Sequence, residues 1–179
     1  DKQYSKDGVI WADYECTFPE LSQNTTLYGH NWYNIYTPRT LENMQSNDLM
    51  FSLVMSYHYT DFAQQNPFIY FSTTEQDYVF QVFAAFYTDL SFGYNFANMT
   101  QEQTQQVIAE AKAKSRQNYN VSVTSEDKIL TLSTCTRMYG NTNNQRFVVM
   151  AKLVPAGTPS TTISTHTNAV AYNDKVGRE

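Results

Sequence analysis

The chain has 179 residues, 41% of them hydrophobic, which is enough for one core and argues for a single domain. A net charge of −5 and a pI near 5.1 exclude the basic face that tracks nucleic-acid phosphates. Two cysteines, Cys16 and Cys135, are too few for a disulfide-stapled module, and no stretch approaches the roughly 18–20 apolar residues of a membrane-spanning helix. Aromatics reach 15%, and these tyrosines and phenylalanines, with short apolar runs, favour strands over helices. The opening Asp1-Lys2-Gln3-Tyr4 is polar and does not read as a signal peptide.

In chain order, Gly8 to Tyr14 reads as a strand and Thr25 to Gly29 as a second, ending at His30. Thr40 to Gln65 mixes loop and helix signals, with an apolar face from Leu49, Phe51, Leu53, Val54, Met55 and Phe62. Asn66-Pro67 ends it, because proline disfavours helix at the residue before it. Phe68 to Ser72 is a short strand, and Tyr78 through Tyr87 a longer one. Thr100 and Gln103 form a capping box that opens a helix ending near Arg116-Gln117-Asn118, with Val107, Ile108 and Ala111 inward. Val121 to Val123 reads as a short strand. Lys128 to Thr134 and Arg146 to Val154 are the strongest strands of the chain. The segment 155–179 is Thr/Ser-rich and reads as an extension to a domain of residues 1–154.

Chemistry gathers at strand ends. Cys135 closes Thr131-Leu132-Ser133-Thr134-Cys135, Arg146 opens Arg146-Phe147-Val148-Val149, and His30 lies within Tyr28-Gly29-His30-Asn31. A cysteine attacks as thiolate, which its free pKa near 8.5 leaves scarce at neutral pH. An imidazolium and a guanidinium both stabilise that anion. The histidine can also protonate a leaving amine, and the arginine can bind a carbonyl oxygen or an oxyanion. No Asp or Asn partner of a papain-type triad is evident, which points to a Cys/His/Arg arrangement. No Cys/His/carboxylate cluster has metal-ligand spacing, so no cofactor is expected.

These three words, in this order and spacing, resemble the sortase family, class B in particular. The lead-in Asp127-Lys128-Ile129-Leu130, the helix from about Thr100 to Gln117 before the cysteine strand, and Gly8 to Tyr14 before the histidine strand extend the likeness over roughly residues 7–154. The resemblance implies a mainly β, sortase-type barrel. It makes Cys135 the nucleophile, His30 the acid and base, and Arg146 the carbonyl and oxyanion ligand. Ser133, Thr134 and Asn31 line the substrate groove. The implied reaction cleaves a C-terminal sorting signal, of the Asn-Pro-x-Thr type in many class B members. Transfer to a peptidoglycan precursor or a pilin lysine follows, at the outer face of the membrane.

The family's N-terminal anchor, helical segment and first two strands have no counterpart before Gly8, which leaves a barrel edge to cover. Thr161 to Tyr172 is expected to pair there, with the Gly8 strand or the Arg146 strand. The competing functions are a thiol endopeptidase without transfer, a pilin-polymerising member and an inactive binding module. Cys16 reads as a structural or free thiol, His58 as a packed residue among aromatics, and His166 as solvated. Trp11 and Trp32 read as core residues, Trp32 alternatively as a groove residue. Sequons at Asn24, Asn98 and Asn120 carry meaning only in a glycosylating secretory pathway.

Overall fold

The computed structural model describes residues 4–166. A curled six-stranded sheet dominates it, in the order β1-β2-β6-β7-β4-β3. The strands are β1 (Trp11–Ala12), β2 (Asn24–Tyr28), β3 (Phe68–Ser72), β4 (Asp77–Asp89), β6 (Ile129–Cys135) and β7 (Gln145–Val154). β5 (Gln117–Tyr119) and β8 (Ile163–Thr165) form a separate two-stranded ladder. The helices are α1 (Thr60–Gln65), preceded by a 3-10 turn over Val54–His58, and α2 (Gln101–Lys114). The mainly β, sortase-type expectation holds.

β4 lies inside the sheet between β3 and β7, and its run from Phe80 to Tyr87 is buried throughout. A register shift between Val82 and Ala84 lets Phe83 enter the core as well. Both faces are covered, which explains a nearly continuous apolar run instead of strict alternation. Phe86 packs against Phe92 at 5.9 Å, whereas Tyr87, one residue on, meets His58 at 5.8 Å on the opposite face. Among the described residues only β2 and β6 run parallel, and they carry the cysteine and histidine words to the same end of the sheet.

The capping box at Thr100 is present, with both reciprocal hydrogen bonds made and Val107, Ile108 and Ala111 buried. Four expectations need correction. Gly8 to Tyr14 forms only the two-residue β1, because Gly8 at φ +77° turns the chain out of extended geometry. No strand forms over Val121–Val123; β5 lies earlier, and the Val121 carbonyl instead accepts from Lys112 Nζ at 2.8 Å. The tail strand pairs neither with the Gly8 strand nor with the Arg146 strand. Within the described part of Thr161–Tyr172, β8 pairs with β5, because Ile163 inserts into the core and Gln64 Nε2 donates to its carbonyl at 2.9 Å. Residues 167–172 lie outside the described residues. His166 is not simply solvated: its Nδ1 donates to the Ser115 carbonyl at 3.0 Å.

Candidate functional site

The register of three adjacent strands builds the site. Tyr28 pairs with Ser133 in the parallel β2–β6 ladder, so two residues on, His30 comes level with Cys135. Cys135 in turn pairs with Arg146 across the antiparallel β6–β7 ladder. Residues directly opposite in such a ladder present side chains on one face. The three residues that the sequence singles out, 105 and 11 positions apart, therefore share one level of the sheet. All three line a cleft of about 430 Å³. His30 and Cys135 also border a second cleft of about 250 Å³, whose other walls include Trp32, Arg137 and Asn143.

Several contacts hold this level together. The Gly29 N–H donates to the Ser133 carbonyl at 3.4 Å, extending the ladder one step past β2. Thr134 Oγ1 donates to the Gly29 carbonyl at 2.7 Å. Asn31 Nδ2 donates to the Cys135 carbonyl at 3.3 Å, and its Oδ1 accepts from the Asn34 N–H at 3.0 Å. Ser133 Oγ shares a 2.8 Å hydrogen bond with the Tyr94 hydroxyl. Ser133, Thr134 and Asn31 are thus brought to the site, each buried and each with its polar group engaged inside the protein.

The Cys135 side chain is exposed and unbonded to any other sulfur. Cys16 is half-buried; the Thr26 N–H donates to its sulfur at 3.4 Å, and burial pushes its thiol pKa up. Arg146 Nη1 donates to the carbonyls of Asn143 and Gln145 at 2.9 and 2.8 Å. No carboxylate pairs with Arg146 among the described residues, and the rest of its planar fork is available to a carbonyl or an oxyanion. His58, by contrast, is held away from this cleft. Its Nδ1 bonds the Tyr87 hydroxyl at 2.9 Å, and burial, reinforced by Arg116, lowers its pKa to about 4.

Sequence reasoning missed much of the cleft wall. Tyr28, Phe92, Tyr94 and Asn95 line it, the last three from the β4–α2 connection. Tyr28 donates to Asp13 Oδ2 at 2.8 Å and accepts from Asn95 Nδ2 at 2.9 Å, which ties that connection to β2. Trp11 and Trp32 are not core residues: they are 43% and 58% exposed and flank His30. For Trp32 the sequence offered its nearness to the histidine word; Trp11 lies 19 positions before His30 and gave no such signal. Asn24 is buried, with Nδ2 donating to the Tyr94 carbonyl, so this sequon is closed to a glycan.

A curled, mainly β sheet that opens a thiol, an imidazole and a guanidinium into one cleft defines a barrel-like protein with a cysteine at a strand end. The chain belongs to the sortase family, a family of cysteine transpeptidases that act at the cell surface: the sortase domain model matches residues 1–154. It is 31% identical to sortase B of Staphylococcus aureus over 155 residues, which covers 86% of this chain and 58% of that protein. To sortase B of Listeria monocytogenes it is 28% identical over 153 residues, covering 84% and 56%. The structure of the Staphylococcus aureus sortase B–substrate complex superimposes with a TM-score of 0.71 at 30% identity, covering 87% of this chain and 66% of that one. The chain thus spans somewhat more than half the length of these two relatives. Among the described residues no helix is long and apolar enough to cross a membrane.

Proposed function

We propose that this protein is a class B-type cysteine transpeptidase that cleaves the C-terminal sorting signal of surface proteins and transfers the acyl group to an amine. The observation that carries this reading is the common level of His30, Cys135 and Arg146 at the mouth of one cleft. In this reading residues 1–154 are the catalytic domain and 155–179 an extension, within which Ile163–Thr165 forms β8.

In this reading the peptide lies in the larger, aromatic-walled cleft. Cys135 attacks the scissile carbonyl as thiolate, and Arg146 donates to the carbonyl oxygen as it becomes an oxyanion. The tetrahedral intermediate collapses, His30 protonates the departing amine, and a thioester remains on Cys135. The second cleft, which meets the first at His30 and Cys135, gives an amine a separate approach. That amine, from a peptidoglycan precursor or a pilin lysine, loses its proton to His30 and displaces the thiol. The substrate complex of the Staphylococcus aureus relative supports a sorting-signal peptide as the first partner. The site then works at the outer face of the membrane.

The test is mass spectrometry after incubation with a library of sorting-signal peptides, with and without an added amine. The expected result is an acyl adduct on Cys135, converted to ligated product by the amine. Hydrolysis unaffected by amines would make the protein a thiol endopeptidase. Peptide binding without any adduct would make it a binding module.

A further inference from the structure

Enzymes that use a histidine as acid and base fix its ring, most often by a hydrogen bond from one ring nitrogen to a carboxylate or a carbonyl. Among the described residues, His30 has no such bond to either ring nitrogen. Its ring instead contacts two indoles. The Trp32 ring centroid is 4.8 Å away at an interplanar angle of 31°, and that of Trp11 is 5.4 Å away at 58°. A third wall is backbone: a Cβ added at Gly8 would stand 2.5 Å from His30 Cδ2 and 3.1 Å from Nε2. Gly8 is held in this position by its own N–H to the Ser5 carbonyl, and the adjacent Asp7 accepts from the Tyr33 hydroxyl at 3.2 Å.

From these contacts we infer that Trp11, Trp32 and the Gly8 backbone form a cage that orients the His30 imidazole, taking the part a carboxylate plays in a hydrogen-bonded triad. The three are positioning residues and act through His30. Trp11 borders the larger cleft and Trp32 the smaller, so each cleft contributes one wall of the cage. Two observations favour this role over ordinary packing. Both indoles are partly exposed, at 43% and 58%, and neither is part of the buried core. A side chain heavier than hydrogen at position 8 would collide with the His30 ring, which has no hydrogen bond of its own among the described residues. Aromatic walls in tilted contact restrict the turning of a ring while leaving both nitrogens open to exchange protons. That suits a group that must give a proton to one amine and take one from another.

The inference rests on the transpeptidase reading for its kinetic consequence, whereas the cage itself can be observed without turnover. The experiment compares wild type with Trp32→Phe, Trp32→Leu and Trp11→Leu/Trp32→Leu by NMR of labelled histidine and by peptide cleavage. In the wild type the ring currents of two indoles shift the His30 ring protons upfield. The double leucine variant should return them toward free-histidine positions, with kcat reduced by about 10–100-fold and KM within about twofold. Trp32→Phe should recover most of the activity lost in Trp32→Leu. Gly8→Ala leaves both indoles in place and should reduce kcat in the same manner, which keeps the idea testable if the double variant does not fold. Upfield shifts that survive loss of both indoles overturn the cage; shifts that vanish with kcat unchanged overturn its positioning role. A wild-type chain that forms no acyl-enzyme sinks the transpeptidase reading instead, and the ring shifts alone then decide whether the cage exists.

Discussion

Gly29→Ala tests how the fold sets the height of His30. Gly29 is buried between β2 and the histidine, and a Cβ placed there would meet Phe51 Cγ at 2.6 Å and two further ring carbons at 2.9 Å. The ring cannot swing clear, because its contact is made near the root and Phe51 is only 6% exposed. Its backbone is pinned too: the Phe51 N–H donates to the His30 carbonyl at 3.1 Å. The added methyl must therefore push either the core or the strand end. Overpacking of this kind costs about 1–3 kcal/mol. Displacing His30 by a fraction of an ångström from Cys135 should reduce cleavage about 10–100-fold. Urea unfolding measures the first effect and peptide turnover the second. Phe51→Leu should cost about 1–2 kcal/mol alone by opening a cavity. Combined with Gly29→Ala it should cost less than the sum of the two, by about 1 kcal/mol, because the methyl occupies the vacated space. A Gly29→Ala variant within about 0.5 kcal/mol of wild type and fully active would refute the reasoning. So would strict additivity in the double variant.

Cys135→Ala should abolish cleavage and transfer with the fold nearly unchanged, and a thiol-directed reagent should label Cys135 before the half-buried Cys16; a covalent adduct confined to Cys16 would contradict this. Arg146→Lys should fail to rescue Arg146→Ala, since an ammonium lacks the planar fork; near-full activity of the lysine variant would remove the carbonyl-binding role. Thr134→Val should lower stability by about 1–3 kcal/mol, read by urea unfolding, because the buried Gly29 carbonyl loses its 2.7 Å donor. His58 links stability to pH. Its folded pKa, about 4, lies below the ordinary histidine value of 6.5, so between the two the folded state binds fewer protons than the unfolded state. The contribution is complete above about pH 6.5 and is lost as pH falls through 4. His58→Asn should flatten the fall in Tm over that window, and an unchanged pH profile would count against the assignment.

Most strands were legible because their sequence signals are local. β3, β4, β6 and β7 are runs of apolar and β-branched residues bounded by turn residues, and each begins and ends within a few residues of the expected limits. α2 was legible from its cap, since Thr100 and Gln103 name a helix start by their own hydrogen bonds. The ends of the chain were not. Gly8 to Tyr14 has strand composition, yet the segment is drawn across the histidine ring by Gly8 and Asp7, contacts that no periodicity reveals. β8 has weak alternation, and its partner was chosen by a vacancy beside α1 and β5 that only the packed molecule defines.

The candidate site divides in the same way. A cysteine, a histidine and an arginine at three strand ends can be read one word at a time, and the parallel β2–β6 register then makes their meeting a matter of counting residues. What surrounds them cannot be counted. The polar groups of Ser133, Thr134 and Asn31 hold neighbouring backbone and Tyr94, so they fix the height of the candidate residues. The walls come from elsewhere: Tyr94 and Asn95 from the connection after β4, Trp11 from β1, Trp32 from the loop after β2. A tryptophan in isolation reads as core, because burying its large apolar ring is favourable. Here both are partly exposed, and each has its ring against the same imidazole. In this fold the candidate cysteine, histidine and arginine are thus legible as strand words, whereas the side chains around them come from segments whose place only the packed fold defines.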